Sequence, residues 1–311
     1  MPNTTQKITP HLWFDKEAKE AAEFYCSVFP ESTITNTTTL HNTPSGDVDG
    51  VSFDLWGVSF RALSAGPFFR PNPSISFIVN FDPLLFGGAS KTQEAKAALD
   101  KAWEKLSDGG KVLMPLDVYP FSERYGWVQD KYGFSWQLML TDPEGEPRPH
   151  IVPSLMFVGE NSDRAKEATD FYLSVFKQSH RGQITRYSAD MEPDREGTVM
   201  FTDYMLEGVW MAAMDSAQEH DFNFNEAISL IVYCDNQEEI DDYWKKMSAV
   251  PESEQCGWLK DKYGVSWQIV PAVLDEMMTQ GTREQVDRVT QAFLKMKKFD
   301  IEKLEEAYDG K

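Results

Sequence analysis

Of the five histidines in this chain, His11 alone sits in an apolar segment. An imidazole titrates near neutrality, so His11 suits proton abstraction as a general base or a hydrogen bond to a bound ligand. The plainer alternative is a framework histidine satisfied by a neighbour. His41, His150, His180 and His220 lie in polar or turn-like sequence without ligand spacing and read as surface residues. Arg61 and Arg124 offer cations to a carboxylate or phosphate, or to one of the chain's many acids. Trp13, Trp56, Phe60, Phe69, Tyr125 and Trp127 either wall an apolar cavity or form plain core. Cys26, Cys234 and Cys256 show no paired spacing and cannot all pair within one chain, which suggests reduced, buried structural thiols.

The elements that must position these residues occur twice. Trp127 to Gln137 and Trp258 to Gln268 share eight of eleven residues, including Asp-Lys-Tyr-Gly and Ser-Trp-Gln. Each copy reads as a strand, a turn whose glycine takes a positive φ, and a returning strand. Side chains alternate along a strand, so Gln137 and Gln268 face away from Trp136 and Trp267, and a buried glutamine is expected in both copies. Phe-Tyr-x-Ser-Val-Phe recurs at 24–29 and 171–176 inside two helices, expected at 16–29 after an Asp15 cap and at 163–176. Strands at 51–56 and 59–64 match 202–206 and 210–214, and 75–79 matches 228–232. The element order is strand, helix and three strands, used four times along the chain. Two insertions in the first repeat, near 83–92 and 111–123, are expected to be loops, though their Leu84, Phe86, Tyr119 and Phe121 are too apolar for full exposure.

These repeats imply an α+β fold of two tandem domains, 1–142 and 150–275, with a helical extension at 276–311. The junction is placed at 141–150, where Pro143, Gly145, Pro147 and Pro149 interrupt both helix and strand. In the extension, helices are expected at 282–297 and, capped by Asp300, at 301–308. A formal charge of −20 and a pI near 4.6 argue against a nucleic-acid backbone or an anionic membrane as partner. No apolar run approaches membrane-spanning length and no basic-then-apolar leader opens the sequence, so a cytoplasmic protein is expected. A small-molecule ligand and a homodimer partner remain as candidates.

Ile8-Thr-Pro-His-Leu-Trp-Phe14, Ala65-Gly-Pro67, the run from Val112 to Leu116, Tyr125-Gly-Trp127, both Asp-Lys-Tyr-Gly-x-Ser-Trp-Gln segments and Phe222-Asn-Phe-Asn225 resemble the PhnB-like branch of the vicinal oxygen chelate superfamily, which includes glyoxalases, bleomycin-resistance proteins and dioxygenases. The resemblance implies glyoxalase-like domains, each with two βαβββ modules curled into a cup. It also implies a metal-ligand pattern in which His11 matches the first position and Gln137 the last, facing each other in one cup. The fourth-strand stretch Phe60-Arg-Ala-Leu63 offers no carboxylate, the fifth-strand position falls near Ser74 or Ser76, and the second repeat offers Ser154, Ala227 or Ser229, and Gln268. That donor set is poor for a divalent ion, so no cofactor is expected and a divalent metal is the alternative. Many relatives carry a 3-demethylubiquinone 3-methyltransferase label, yet Gly87-Gly88 and Gly109-Gly110 do not form the Gly-rich turn that S-adenosylmethionine requires. The expected function is binding of a small, partly apolar molecule in the first cup, with His11 as the candidate for metal-independent chemistry. A metal-dependent lyase, isomerase or dioxygenase and a non-catalytic duplicated scaffold are the alternatives.

Overall fold

The computed structural model describes residues 6–144 and 146–311, so Gly145 of the expected junction lies outside the described residues, as do residues 1–5. The first repeat runs β1 (Ile8–Phe14), α1 (Ala18–Val28), β2 (Thr33–Thr43), β3 (Gly46–Leu55), β4 (Val58–Ser64), β5 (Ile75–Phe81), α2 (Thr92–Ser107), β6 (Lys111–Tyr119), β7 (Ser122–Gln129) and β8 (Ser135–Leu140). The second runs β9 (Ile151–Phe157), α3 (Ala165–Val175), β10 (His180–Arg186), β11 (Val199–Leu206), β12 (Val209–Asp215), β13 (Ile228–Cys234), α4 (Gln237–Met247), β14 (Trp258–Lys260) and β15 (Ser266–Pro271). Helices α5 (Ala272–Gln280), α6 (Arg283–Phe293) and α7 (Ile301–Asp309) follow.

Local chemistry explains most of these bounds. The turns after β3 and β11 each place two successive residues at positive φ, Trp56 (48°) with Gly57 (86°) and Glu207 (47°) with Gly208 (85°), the twist that tight hairpins need. Helix α1 starts two residues later than expected. Its Ala18 N–H is met by Ser64 Oγ at 3.1 Å rather than by Asp15, and Ala165 of α3 likewise donates to Asp215 Oδ1 at 2.9 Å. Both helix starts are therefore capped from a neighbouring strand end, a contact no local pattern shows. Thr282 and Gln285 form a reciprocal capping box on α6, and Asp300 caps α7 as expected.

The insertion expected as a loop at 111–123 is instead β6 and its turn, paired to β7 through three register shifts. Pro115 is tolerated because β6 is an edge strand. Among the described residues the fourth module has no such strand. There the backbone N–H groups of Cys256 and Gly257 donate to Met296 O at 2.8 Å and Lys297 O at 2.7 Å, so the chain's own C-terminal segment takes up that edge.

Strand pairing crosses the repeats. The seven-stranded sheet has the order β14-β15-β13-β1-β4-β3-β2 and the eight-stranded sheet β10-β11-β12-β9-β5-β8-β7-β6. Thus β1 lies antiparallel to β13, and β5 antiparallel to β9. Aromatic pairs on the helix-bearing faces, by contrast, join elements of the same repeat. Phe60 meets Phe77 at 5.2 Å and Tyr25 meets Trp136 at 5.2 Å in the first, while Tyr172 meets Trp267 at 5.4 Å in the second. One hydrophobic cluster runs through both repeats, and neither 1–142 nor 150–275 builds a cup alone.

Candidate functional site

The crossed ladders separate His11 from Gln137. His11 on β1 lies in the seven-stranded sheet, beside Ser229 of β13 and Arg61 of β4 in register. Gln137 on β8 lies in the eight-stranded sheet. The expectation that they face each other in one cup is therefore corrected, because it assumed that each repeat closes its own sheet.

The His11 cup is built from both repeats. Gln268 donates from Nε2 to Ser229 Oγ at 2.9 Å, completing the row His11, Arg61, Ser229 and Gln268 across four adjacent strands. Trp258, in register with Gln268, presents its ring 5.5 Å from His11 and 6.2 Å from Trp13. Phe69 packs edge-on against Trp13 at 5.1 Å, and the Trp13 Nε1–H donates to Gly66 O at 2.7 Å. His11 is only 6 % exposed, and its buried Nδ1 has no hydrogen-bond partner. Burial first, and the Arg61 charge second, lower its pKa to about 3, so the ring is neutral at physiological pH. Burial works against the charge on Arg61, yet Tyr233 and Asp275 outweigh it and raise its pKa. Arg61 bonds Asp275 Oδ2 at 2.9 Å, a residue of α5, which brings the helical extension against this cup.

The Gln137 cup carries a neutral polar row around Gln137, while on the same sheet face Asp203, the register partner of Ala212, pairs with Arg148 at 2.7 Å. Tyr125 donates its O–H to Gln137 Oε1 at 2.7 Å, and Gln137 Nε2 donates to Ser76 Oγ at 2.8 Å. Ser76 is the cross-strand partner of Ser154, whose buried Oγ has no partner. Ile78, Val152, Trp210 and Ala212 form a small apolar cluster on the same sheet, with Met139, Phe201 and Met205 against it. Trp127 belongs to this cup, its Nε1–H donating to Ser135 Oγ at 3.2 Å.

Three expected site residues lie in neither cup. Phe60 is fully buried on the helix-bearing face, stacked on Phe53 at 5.5 Å, as alternation requires of the neighbour of Arg61. Arg124 points the opposite way from Tyr125 and pairs with Asp100 of α2 at 2.8 Å. Trp56 sits in the turn after β3, stacked on His150 at 3.6 Å, so His150 is half-buried rather than a surface residue. Trp258, Ser229, Tyr233, Gln268 and Asp275 were not expected beside His11. The duplicated Trp127 and Trp258 motif was the available signal for two of them.

The recurring Asp-Lys-Tyr-Gly segment has a structural explanation. The carboxylate of Asp130 accepts from Tyr25 Oη–H at 2.8 Å, Trp136 Nε1–H at 2.8 Å, and the backbone N–H groups of Tyr132 at 2.8 Å and Phe134 at 3.0 Å. Asp261 repeats the set with Tyr172, Trp267, Tyr263 and Val265 at 2.7, 2.9, 2.8 and 3.1 Å. Burial raises both aspartate pKa values while those donors oppose it.

Neither cup fits a divalent ion. In the His11 cup the single imidazole lies beside a guanidinium, and the remaining matched positions carry a hydroxyl and an amide. In the Gln137 cup the matched positions carry hydroxyls and an amide, and the Asp203 carboxylate on that face is taken up by Arg148. Among the described residues no group of three His, Cys, Asp or Glu is placed to hold a metal. A methyl donor fares no better. The turn from β1 into α1 is Asp15-Lys16-Glu17, acidic and without glycine, where a nucleotide-binding turn needs exposed backbone N–H groups.

The family model described as 3-demethylubiquinone-9 3-methyltransferase matches residues 6–139 and again 149–270. A PhnB protein of Bacillus cereus, named for the same methyltransferase, is 34% identical over 44% of this chain and 100% of its own, with a TM-score of 0.37. Glyoxalase I of Zea mays is 10% identical, covering 86% of this chain and 95% of its own at a TM-score of 0.48. A Bacillus subtilis protein assigned as a dioxygenase is 12% identical over 96% of this chain and 94% of its own, with a TM-score of 0.48. No curated protein matches.

Proposed function

The chain belongs to the family described as 3-demethylubiquinone-9 3-methyltransferase, a PhnB-like branch of the vicinal oxygen chelate superfamily duplicated in tandem, and from that premise we propose that it binds a small, partly apolar molecule in the His11 cup without a divalent metal. The observation that carries this reading is the orphaned Nδ1 of a nine-tenths buried histidine, set between an arginine and two tryptophans. A buried polar atom without a partner costs about 1–3 kcal/mol, which a hydrogen-bonding ligand would recover. Because the imidazole stays neutral down to about pH 3, it is a weak base and a good hydrogen-bonding group. His11 therefore suits ligand recognition better than proton abstraction. Both cups are completed within one chain, so no second copy is needed to build either.

Thermal-shift screening with a library of small aromatic compounds tests the reading. Compounds that stabilise the wild type should lose most of that stabilisation in His11→Ala and keep it in Ser154→Ala, whose hydroxyl lies in the other cup. Equal shifts in wild type and His11→Ala would leave His11 a framework histidine. A stoichiometric divalent metal, detected by elemental analysis and lost in His11→Ala, would restore the glyoxalase-type alternative.

A further inference from the structure

We propose that Asp275 stands where a ligand carboxylate would bind, so that helix α5 is a built-in competitor for the His11 cup and the ligand is an aromatic monocarboxylate. This rests on the reading of the His11 cup as the ligand site. Arg61 points into that cup as the register neighbour of His11, with its side chain 24 % exposed and its guanidinium 5.9 Å from the Tyr233 ring. Its carboxylate partner, 214 residues away in sequence, is Asp275, and the contact is a single Nη2 to Oδ2 bond at 2.9 Å. The guanidinium also donates from Nη1 to Phe60 O at 3.3 Å, and Tyr233 hydrogen-bonds with both Arg61 and Asp275.

A guanidinium carries five donors and takes a free carboxylate through two parallel bonds, which a one-point helix aspartate does not supply. The Asp275 side chain is 40 % exposed, so its pair with Arg61 is partly screened by water and displaceable. Trp13 and Trp258 supply an aromatic wall beside the cation, and His11 Nδ1 supplies the remaining polar contact. The chain's net charge of −20 repels anions at long range, but salt screens that field beyond about 8–10 Å while Arg61 acts at contact. Helix α5, which carries Asp275, continues directly from β15, the strand that carries Gln268.

The test titrates full-length wild type, Asp275→Asn, Arg61→Gln and His11→Ala with benzoate and with its uncharged analogue benzamide, read by isothermal titration calorimetry. Asp275→Ala serves as a second variant should the asparagine retain the bond. The expected result is benzoate binding about tenfold tighter or more in Asp275→Asn than in wild type, benzamide affinity unchanged, and loss of the benzoate preference in Arg61→Gln. Unchanged benzoate affinity in both Asp275 variants, with either probe still bound in a His11-dependent way, overturns the competitor and leaves the cup reading standing. Binding of neither probe to any variant also overturns this proposal, and the cup reading then falls or stands on the thermal-shift screen.

Discussion

His11 is neutral because the fold withholds water from it and sets a guanidinium beside it. In the unfolded chain it takes a proton below the ordinary histidine value of 6.5, whereas folded it does so only near pH 3. Between those values the unfolded chain binds more protons, so this residue costs stability as pH falls through the window and costs none above it. The slope approaches roughly 1.4 kcal/mol per pH unit. Urea unfolding of wild type and His11→Gln should therefore show their stability difference moving by about 2 kcal/mol against the wild type between pH 7 and pH 5. A difference that stays flat across that range would mean the imidazole is hydrated or charged in the native state.

The duplicated hairpins are held by their aspartates. Removing the Asp130 carboxylate leaves two side-chain and two backbone donors buried around a cavity, so Asp130→Ala should lose about 3–5 kcal/mol of unfolding free energy. Lys131 is the adjacent residue and recurs equally in both repeats, but it is exposed and meets Glu20 only at 3.8 Å. Lys131→Ala should cost under about 1 kcal/mol. Similar losses in both variants, measured by denaturant titration, would reject the buried carboxylate as the reason the segment recurs. Hairpin, turn glycine and buried glutamine were legible in sequence because period-two alternation and a positive-φ turn are local. The tertiary caps from Ser64 and Asp215 were not, since their partners lie some fifty residues away.

Two antiparallel ladders, β1 with β13 and β5 with β9, join the repeats. Among the described residues of the connecting segment at 141–150, Asp142, Glu144, Glu146 and Pro149 are exposed and the others half-buried, and cleavage after Asp142 cuts no strand pairing. A protease site inserted after Asp142 should give two fragments that co-elute as one species in native size-exclusion chromatography and part only in denaturant. Fragments that separate without denaturant would mean the repeats are independent domains. No helix of the described residues is long and apolar enough to cross a membrane.

The sequence by itself determined the duplication, the α+β class, the strand-helix-strand order and the family, because each is written in short-range periodicity or in matching residues. It also named His11, Trp13, Arg61 and Phe69 as candidates, and the structure sets these four near one another. What only the tertiary structure decided is which modules pair. A β1 edge presents the same backbone donors and acceptors to any strand of compatible register, so the choice of β13 over a strand of its own repeat lies in long-range packing. That choice gives His11 the partners Ser229, Trp258 and Gln268 in place of Gln137, and it sets Arg61 against Asp275 from the far end of the chain.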